Sequence, residues 1–350
     1  MTTTSTGVSV SDLETFQRSD LTSWLPTISR SELAAAVETS AGRVHEALDS
    51  LKARYHAKDS LIDLLAVSAV AGEPLLILGP PGTAKSDLVR RWCRLLGLGA
   101  SRGGSTGYFE YLLTTFTEPS ELFGAVDIAA LREGHGFRRK GAGMLQEARI
   151  AFLDEIFRSS SAVLNSLLSI INERIYHEGG LGHPVPLVTL YAASNHVPAA
   201  GELTALLDRF PLRYLSESVG TRPEDLRALL DRGWTLETKD VAEESPTCLN
   251  DVLLLGHAVE RSFADALGPT AGAAAGTFPA LGRYLKIVRA IRAERVFSIS
   301  DRTVIKLVRI LAAAALLSGS AKIEESHLAI LLHVWERPED REQIRKFIEG

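Results

Sequence analysis

The residues best suited to chemistry stand in one run, Leu75-Leu-Ile-Leu-Gly-Pro-Pro-Gly-Thr-Ala-Lys85-Ser86: an apolar stretch, a Gly/Pro turn, then Lys-Ser opening a helical pattern. That order suits phosphate. Small residues let backbone N–H groups curl around phosphate oxygens, the N-terminus of the following helix adds positive potential, Lys85 reaches the outer phosphates, and the Ser86 hydroxyl ligates Mg²⁺. The usual template has Gly immediately before the Lys, whereas Ala84 stands here. If that position needs φ > 0, Ala costs roughly 1 kcal/mol; otherwise the loop is built with φ < 0.

Two further sites end apolar runs. Ile150-Ala-Phe-Leu closes on Asp154 and Glu155. A buried strand can present Asp154 to the Mg²⁺ shell and leave Glu155 to polarise an attacking water. Alone, Asp-Glu at a strand end is a common solvated turn; beside a phosphate-binding loop it gains meaning. Val188-Thr-Leu-Tyr-Ala-Ala-Ser closes on Asn195, an amide that could orient water at a terminal phosphate or simply cap a turn.

Such residues must be carried by a sheet. Short β-rich runs fall at Leu75–Leu78, Tyr108–Leu113, Ile150–Leu153, Val188–Ala193 and Leu212–Leu215. Helical patterns lie between them at Ser86–Leu96, Ser161–Ile171 and Leu203–Asp208. This alternation predicts an α/β fold with a largely parallel sheet covered on both faces. Ahead of it, helices are expected from Ser31 to about Arg54 and over Leu61–Val70, the second apolar almost all round and therefore buried. After Ser218 the strand signals stop. Pro223–Leu230, Asn250–Leu267, Phe278–Ala293, Asp301–Ser318 and Glu324–Glu336 read as helices of an all-helical domain, with Gly268–Gly276 a loop inside it. The division expected is an irregular arm over residues 1–30, an α/β nucleotide-binding core over 31–219 and a helical lid over 220–350.

Composition narrows the function. In 350 residues, 38 Lys and Arg against 43 Asp and Glu give a net charge of -5, so no global positive field draws in a polyanion. Two cysteines, Cys93 and Cys248, lack metal-ligand spacing, which supports neither a zinc site nor a disulfide framework. The N-terminus carries no basic stretch followed by an apolar one, and the longest apolar run, Ile310–Leu317, is too short to span a bilayer. A cytoplasmic protein without membrane insertion is expected.

Taken together, several blocks resemble the AAA+ ATPases, and the segment from about Leu75 to Tyr214 is similar to the MoxR group, closest to its RavA-type branch. The blocks are Gly79-Pro-Pro-Gly-Thr-Ala-Lys-Ser86, Thr117-Glu-Pro-Ser-Glu-Leu-Phe-Gly124, Gly141-Ala-Gly-Met-Leu-Gln-Glu-Ala148, Phe152-Leu-Asp-Glu-Ile156, Leu164-Asn-Ser-Leu-Leu168, Ile171-Asn-Glu-Arg174, Ala193-Ser-Asn195 and Leu207-Asp-Arg-Phe210. The resemblance implies a P-loop core with insertions in the second helix (Glu121–Glu147) and as a hairpin before the first sensor (Ile175–Pro186), followed by a helical lid. It makes Gly79, Pro80, Pro81, Gly82, Thr83, Ala84, Lys85, Ser86 and Asp87 the cradle for ATP or ADP, with Ser86 and Asp154 on Mg²⁺. Glu155 becomes the hydrolytic acid and Asn195 the first sensor. Arg209 becomes an arginine finger acting on a neighbouring subunit, although by itself it reads as a helix-end Arg paired with Asp208. Arg302, in Ser300-Asp-Arg302, resembles the second sensor.

The family's habits imply a homo-oligomeric ring, a hexamer, that hydrolyses ATP to remodel or assemble a protein partner carrying a von Willebrand factor A domain. Two alternatives are a nucleic-acid motor or loader, using the basic run Arg138-Arg139-Lys140, and an ATP-gated scaffold with little turnover. The acidic balance weighs against the first.

Overall fold

Five short strands make the sheet that carries the site. A computed structural model describes residues 30–99, 107–134, 138–195, 204–220, 222–238, 247, 249–267 and 277–350. The expected arm, the Gly268–Gly276 loop and Cys248 lie outside the described residues, apart from Arg30. The strands are β1 (Leu75–Leu78), β2 (Tyr108–Leu112), β3 (Ile150–Asp154), β6 (Thr189–Ser194) and β7 (Leu212–Leu215), all parallel in the order β2-β3-β6-β1-β7. β1 and β6 are buried along their whole length, which is why their sequences are continuous apolar runs with no alternation.

Two helices precede the sheet, α1 (Arg30–Arg54) and α2 (Asp59–Ala71). From Leu61 to Ala71 every α2 residue but Asp63 is buried. Then come α3 (Lys85–Leu95), α4 (Pro119–Phe123), α5 (Ile128–Arg132), α6 (Ser161–Glu173) and α7 (Thr204–Leu207). Tyr191, in the middle of β6, fixes helices on the sheet: its hydroxyl donates to Leu65 O at 2.8 Å and accepts from Trp92 Nε1 at 3.0 Å. These buried polar groups are thereby satisfied, and three elements gain a single register.

After β7 the chain is helical: α8 (Pro223–Thr238), α9 (Leu249–Leu267), α10 (Leu281–Ala293), α11 (Asp301–Leu317), a 3₁₀ segment (Glu325–His333) and α12 (Asp340–Glu349). The stretch read as a helix over Glu324–Glu336 is thus a 3₁₀ segment, and α12 was not anticipated. α9 and α11 pack back on α1 and α2. Buried Asp251 on α9 seals that contact, accepting from Ser40 at 2.8 Å and pairing with Arg43 at 3.3 Å, while Thr247 donates to its other oxygen at 3.2 Å.

β4 (Ile175–Glu178) and β5 (Leu181–Pro184) form an antiparallel hairpin just ahead of β6. The other insertion is less regular than a hairpin. Among its described residues α4 is followed by one antiparallel bridge, Val126 to Arg139, that closes around α5.

Among the described residues, no helix is long and apolar enough to cross a membrane.

Candidate active site

β1, β3 and β6 are hydrogen-bonded neighbours, so their C-terminal ends open side by side, the place where parallel sheets bind ligands. Gly79 leaves β1 with φ 146°, and a Cβ there would lie 2.0 Å from Ser216 O. Only glycine allows this approach. Gly82, at φ 80°, has open space where a Cβ would stand. Thr83 folds its hydroxyl back onto Pro80 O at 3.0 Å. Ala84 has φ 60°, the left-handed conformation, so the loop takes the strained of the two options open from sequence.

Lys85 begins α3, nearly buried, and its Nζ donates to Gly79 O at 2.7 Å and Pro80 O at 2.9 Å, with Asn195 Oδ1 at 3.5 Å. Burial lowers its pKa, opposed by the charges of Asp154 and Glu155. The Ser86 hydroxyl faces Asp154 Oδ2 at 3.4 Å, and the other oxygen of Asp154 accepts from Glu155 N at 2.9 Å. Glu155 turns the chain with φ 53° and ψ 43°, and its carboxylate is buried. Asn195 Nδ2 donates to Glu155 Oε1. Among the described residues Glu155 Oε2 has no hydrogen-bond donor, although Arg158 Nε lies 3.6 Å away. A buried carboxylate oxygen without a hydrogen-bond donor is an acceptor waiting for one, as a base for water requires.

The structure therefore brings together Gly79, Pro80, Thr83, Lys85, Ser86, Asp154, Glu155 and Asn195, and Pro80, Pro81, Gly82 and Ala84 are exposed on the turn. Asp87 faces another way, holding the Tyr55 hydroxyl and Arg91 Nε at 3.3 Å. Arg209 and Arg302 stand apart. Arg209 pairs with Asp208 at 2.8 Å. Arg302 is exposed at the second position of α11, and no hydrogen bond or ion pair joins it to the cluster. Of the basic run, Arg139 is turned inward and donates to Gly124 O at 2.9 Å, leaving Arg138 and Lys140 exposed.

Mg²⁺ fits the hard-oxygen pair of Ser86 and Asp154. Such an ion is usually held by one or two protein oxygens together with phosphates and water.

Sequence reading missed Lys58, at the head of α2. It is buried, and its Nζ donates to Ser216 Oγ at 3.1 Å and Glu217 O at 2.8 Å, so it anchors the segment on which Gly79 packs. Burial, and then the charge of Lys85, lower its pKa. No local pattern announces it, since its partners are more than 150 positions away.

The profile described as "MoxR domain in the MoxR-vWA-beta-propeller ternary systems" matches residues 42–256, and one described as "AAA lid domain" matches residues 283–348. Two uncharacterized proteins of Methanocaldococcus jannaschii, MJ0812 and MJ0079, are 36% and 34% identical over 80% of this chain, which spans 68% and 66% of their lengths. "Structural protein ORF618" of Acidianus two-tailed virus is 35% identical over 46% of this chain and 25% of its own length. A crystal structure of a candidate ATPase from Cytophaga hutchinsonii superposes with a TM-score of 0.65 over 91% of this chain and 96% of its own, at 19% identity, a likeness of fold.

Proposed function

The chain belongs to the MoxR family of AAA+ ATPases, and on that premise we propose that it assembles into a homo-oligomeric ring, a hexamer, that hydrolyses ATP to remodel or assemble a protein partner. The observation carrying this reading is the convergence of Lys85, Ser86, Asp154, Glu155 and Asn195 at the ends of three adjacent strands.

Each side chain has a task there. The turn from Gly79 to Ala84 presents backbone N–H groups to phosphates, and Lys85 can exchange its two carbonyl partners for phosphate oxygens, stronger acceptors for a cation. Ser86 and Asp154 hold Mg²⁺, which when bound neutralises charge on the phosphates. Glu155 accepts a proton from the attacking water through the oxygen that lacks a donor, while Asn195 fixes the other. Arg209 serves the nucleotide of a neighbouring subunit, stabilising charge on the transferring phosphoryl group. Arg302 acts as the second sensor on the lid.

The matched family description names a von Willebrand factor A component and a β-propeller beside the MoxR domain, and this supports a partner of the first kind. The RavA-type placement rests on sequence motifs alone. The basic run offers little to a nucleic acid once Arg139 is engaged at the base of its own insertion.

Steady-state hydrolysis by the wild type, Glu155→Gln and Arg209→Ala tests the reading; unchanged turnover in both variants sinks it. Capture on Glu155→Gln with ATP, probed with a von Willebrand factor A domain protein, tests the partner. Assembly that needs ATP binding, without measurable turnover, would instead favour the scaffold.

A further inference from the structure

The short helix α7 ends just before Asp208 and Arg209, and the following strand holds that end in place: Arg213 on β7 donates from Nη2 to Leu207 O at 2.7 Å. Arg213 is itself buried, so this corner has little freedom to drift. The Asp208 carboxylate is shared between two parts of the molecule. Its Oδ2 accepts from Arg209 Nη1 at 2.8 Å, and its Oδ1 accepts from Thr303 Oγ1 at 3.2 Å.

Thr303 lies in the first turn of α11, and it too is buried. Ser300 caps that helix: its hydroxyl accepts from Thr303 N at 3.2 Å and stands 2.9 Å from Thr303 Oγ1. A hydroxyl with neighbours on both sides has a fixed direction, so the place of α11 determines where Asp208 Oδ1 is pulled. A carboxylate is rigid and planar, so moving one oxygen re-aims the other.

Arg209 is held inward by this arrangement. Its side chain is 23% exposed, and its Nε is buried without a hydrogen-bond partner among the described residues. The pose leaves a buried donor unsatisfied, so the Asp208 pair, rather than full solvation or full bonding, keeps the guanidinium against its own chain.

We propose that Asp208 is a positioning residue that couples the place of α11 to the freedom of Arg209. With Thr303 seated on Oδ1, the carboxylate restrains the guanidinium; when α11 shifts and that anchor is lost, the carboxylate turns and Arg209 is released toward a neighbouring copy. The inference rests on the reading that Arg209 acts across a subunit interface, and it adds that the subunit's own helical C-terminal part regulates when.

The test has two arms. In the first, Arg209→Ala and Glu155→Gln subunits, each nearly inactive alone, are mixed. Regained turnover is expected, because a mixed interface can combine one intact Glu155 with one intact Arg209. No regain overturns the action across subunits, and the release step with it. In the second, Thr303→Val keeps shape and removes the donor. We expect a rise in kcat of roughly two- to fivefold, the range an ion pair of this exposure converts to, with KM for ATP unchanged. Thr303→Ser restores the wild-type rate, and Thr303→Val adds nothing in an Arg209→Ala background. Asp208→Asn provides a second route to the same rise, and thermal melting checks that each variant is folded. Unchanged or lowered kcat in both Thr303→Val and Asp208→Asn, or an equal rise without Arg209, overturns the coupling while leaving the first arm's result standing.

Discussion

The Asn195 amide donates to the Glu155 carboxylate and so joins the ends of β6 and β3, neighbours in the sheet. One oxygen of Glu155 is thereby fixed and the other left without a donor among the described residues. Glu155→Gln is expected to lower turnover by roughly 10²-fold or more while nucleotide binding persists. Single-turnover hydrolysis beside equilibrium binding of a labelled nucleotide separates the two effects.

Asn195→Ala removes the partner but leaves the acid. A loss of about 10- to 100-fold is expected, because the carboxylate is no longer aimed. Combined with Glu155→Gln it should add little further loss, since the amide acts through the acid it holds. Turnover of both single variants and the double, measured together, decides this; fully additive losses would mean that Asn195 works independently.

Ala84 holds a left-handed conformation with its side chain exposed. Ala84→Gly should therefore stabilise the chain by about 1 kcal/mol, relief of strain outweighing the entropy a glycine adds to the unfolded state. A higher denaturant midpoint at unchanged slope would show it.

His333 stacks on Tyr214 at 6.0 Å, joining the 3₁₀ segment to β7. Burial, and then the charge of Arg341, push its pKa down to about 4, against a smaller opposing pull from a hydrogen bond to the Arg213 backbone. The unfolded chain takes up this proton near pH 6.5, the folded chain only near pH 4. Stability from this group is thus complete above about pH 6.5 and lost as pH falls toward 4, on the order of 1–3 kcal/mol after allowing for partial exposure. His333→Gln should flatten that limb in unfolding titrations at pH 7.5 and 5.0.

Asp251 joins α9 to α1 through Ser40 and Arg43. Asp251→Asn keeps the shape but loses the charge, and about 2 kcal/mol of destabilisation is expected from the weakened hydrogen bonds. Urea unfolding of the variant checks it, and a change below a few tenths of a kcal/mol would show that apolar contacts carry this junction.

The middle of the sheet was legible because β1, β3 and β6 are buried almost throughout and so read as apolar runs; β1 and β7 have the ends expected for them. The turn from Gly79 to Ser86 was legible for a different reason: its chemistry is local, and adjacent residues do adjacent tasks. What escaped notice is held by distant partners. Lys58 finds Ser216, and Asp208 finds Thr303, across 158 and 95 positions. The 3₁₀ segment over Glu325–His333 has the composition of a helix. α12 went unread because charged residues outnumber its apolar ones, with only Ile344 buried.

The contact between Gly79 and Ser216 also limits what substitution at position 79 can reveal. No side chain fits between that backbone and the Ser216 carbonyl, so even alanine would push the exit of β7 away from the sheet. A variant there would forfeit its architecture before any chemistry could be assayed. The demand for glycine at this position is accordingly a matter of how two loops cross, and it would persist in a descendant that had abandoned nucleotides altogether.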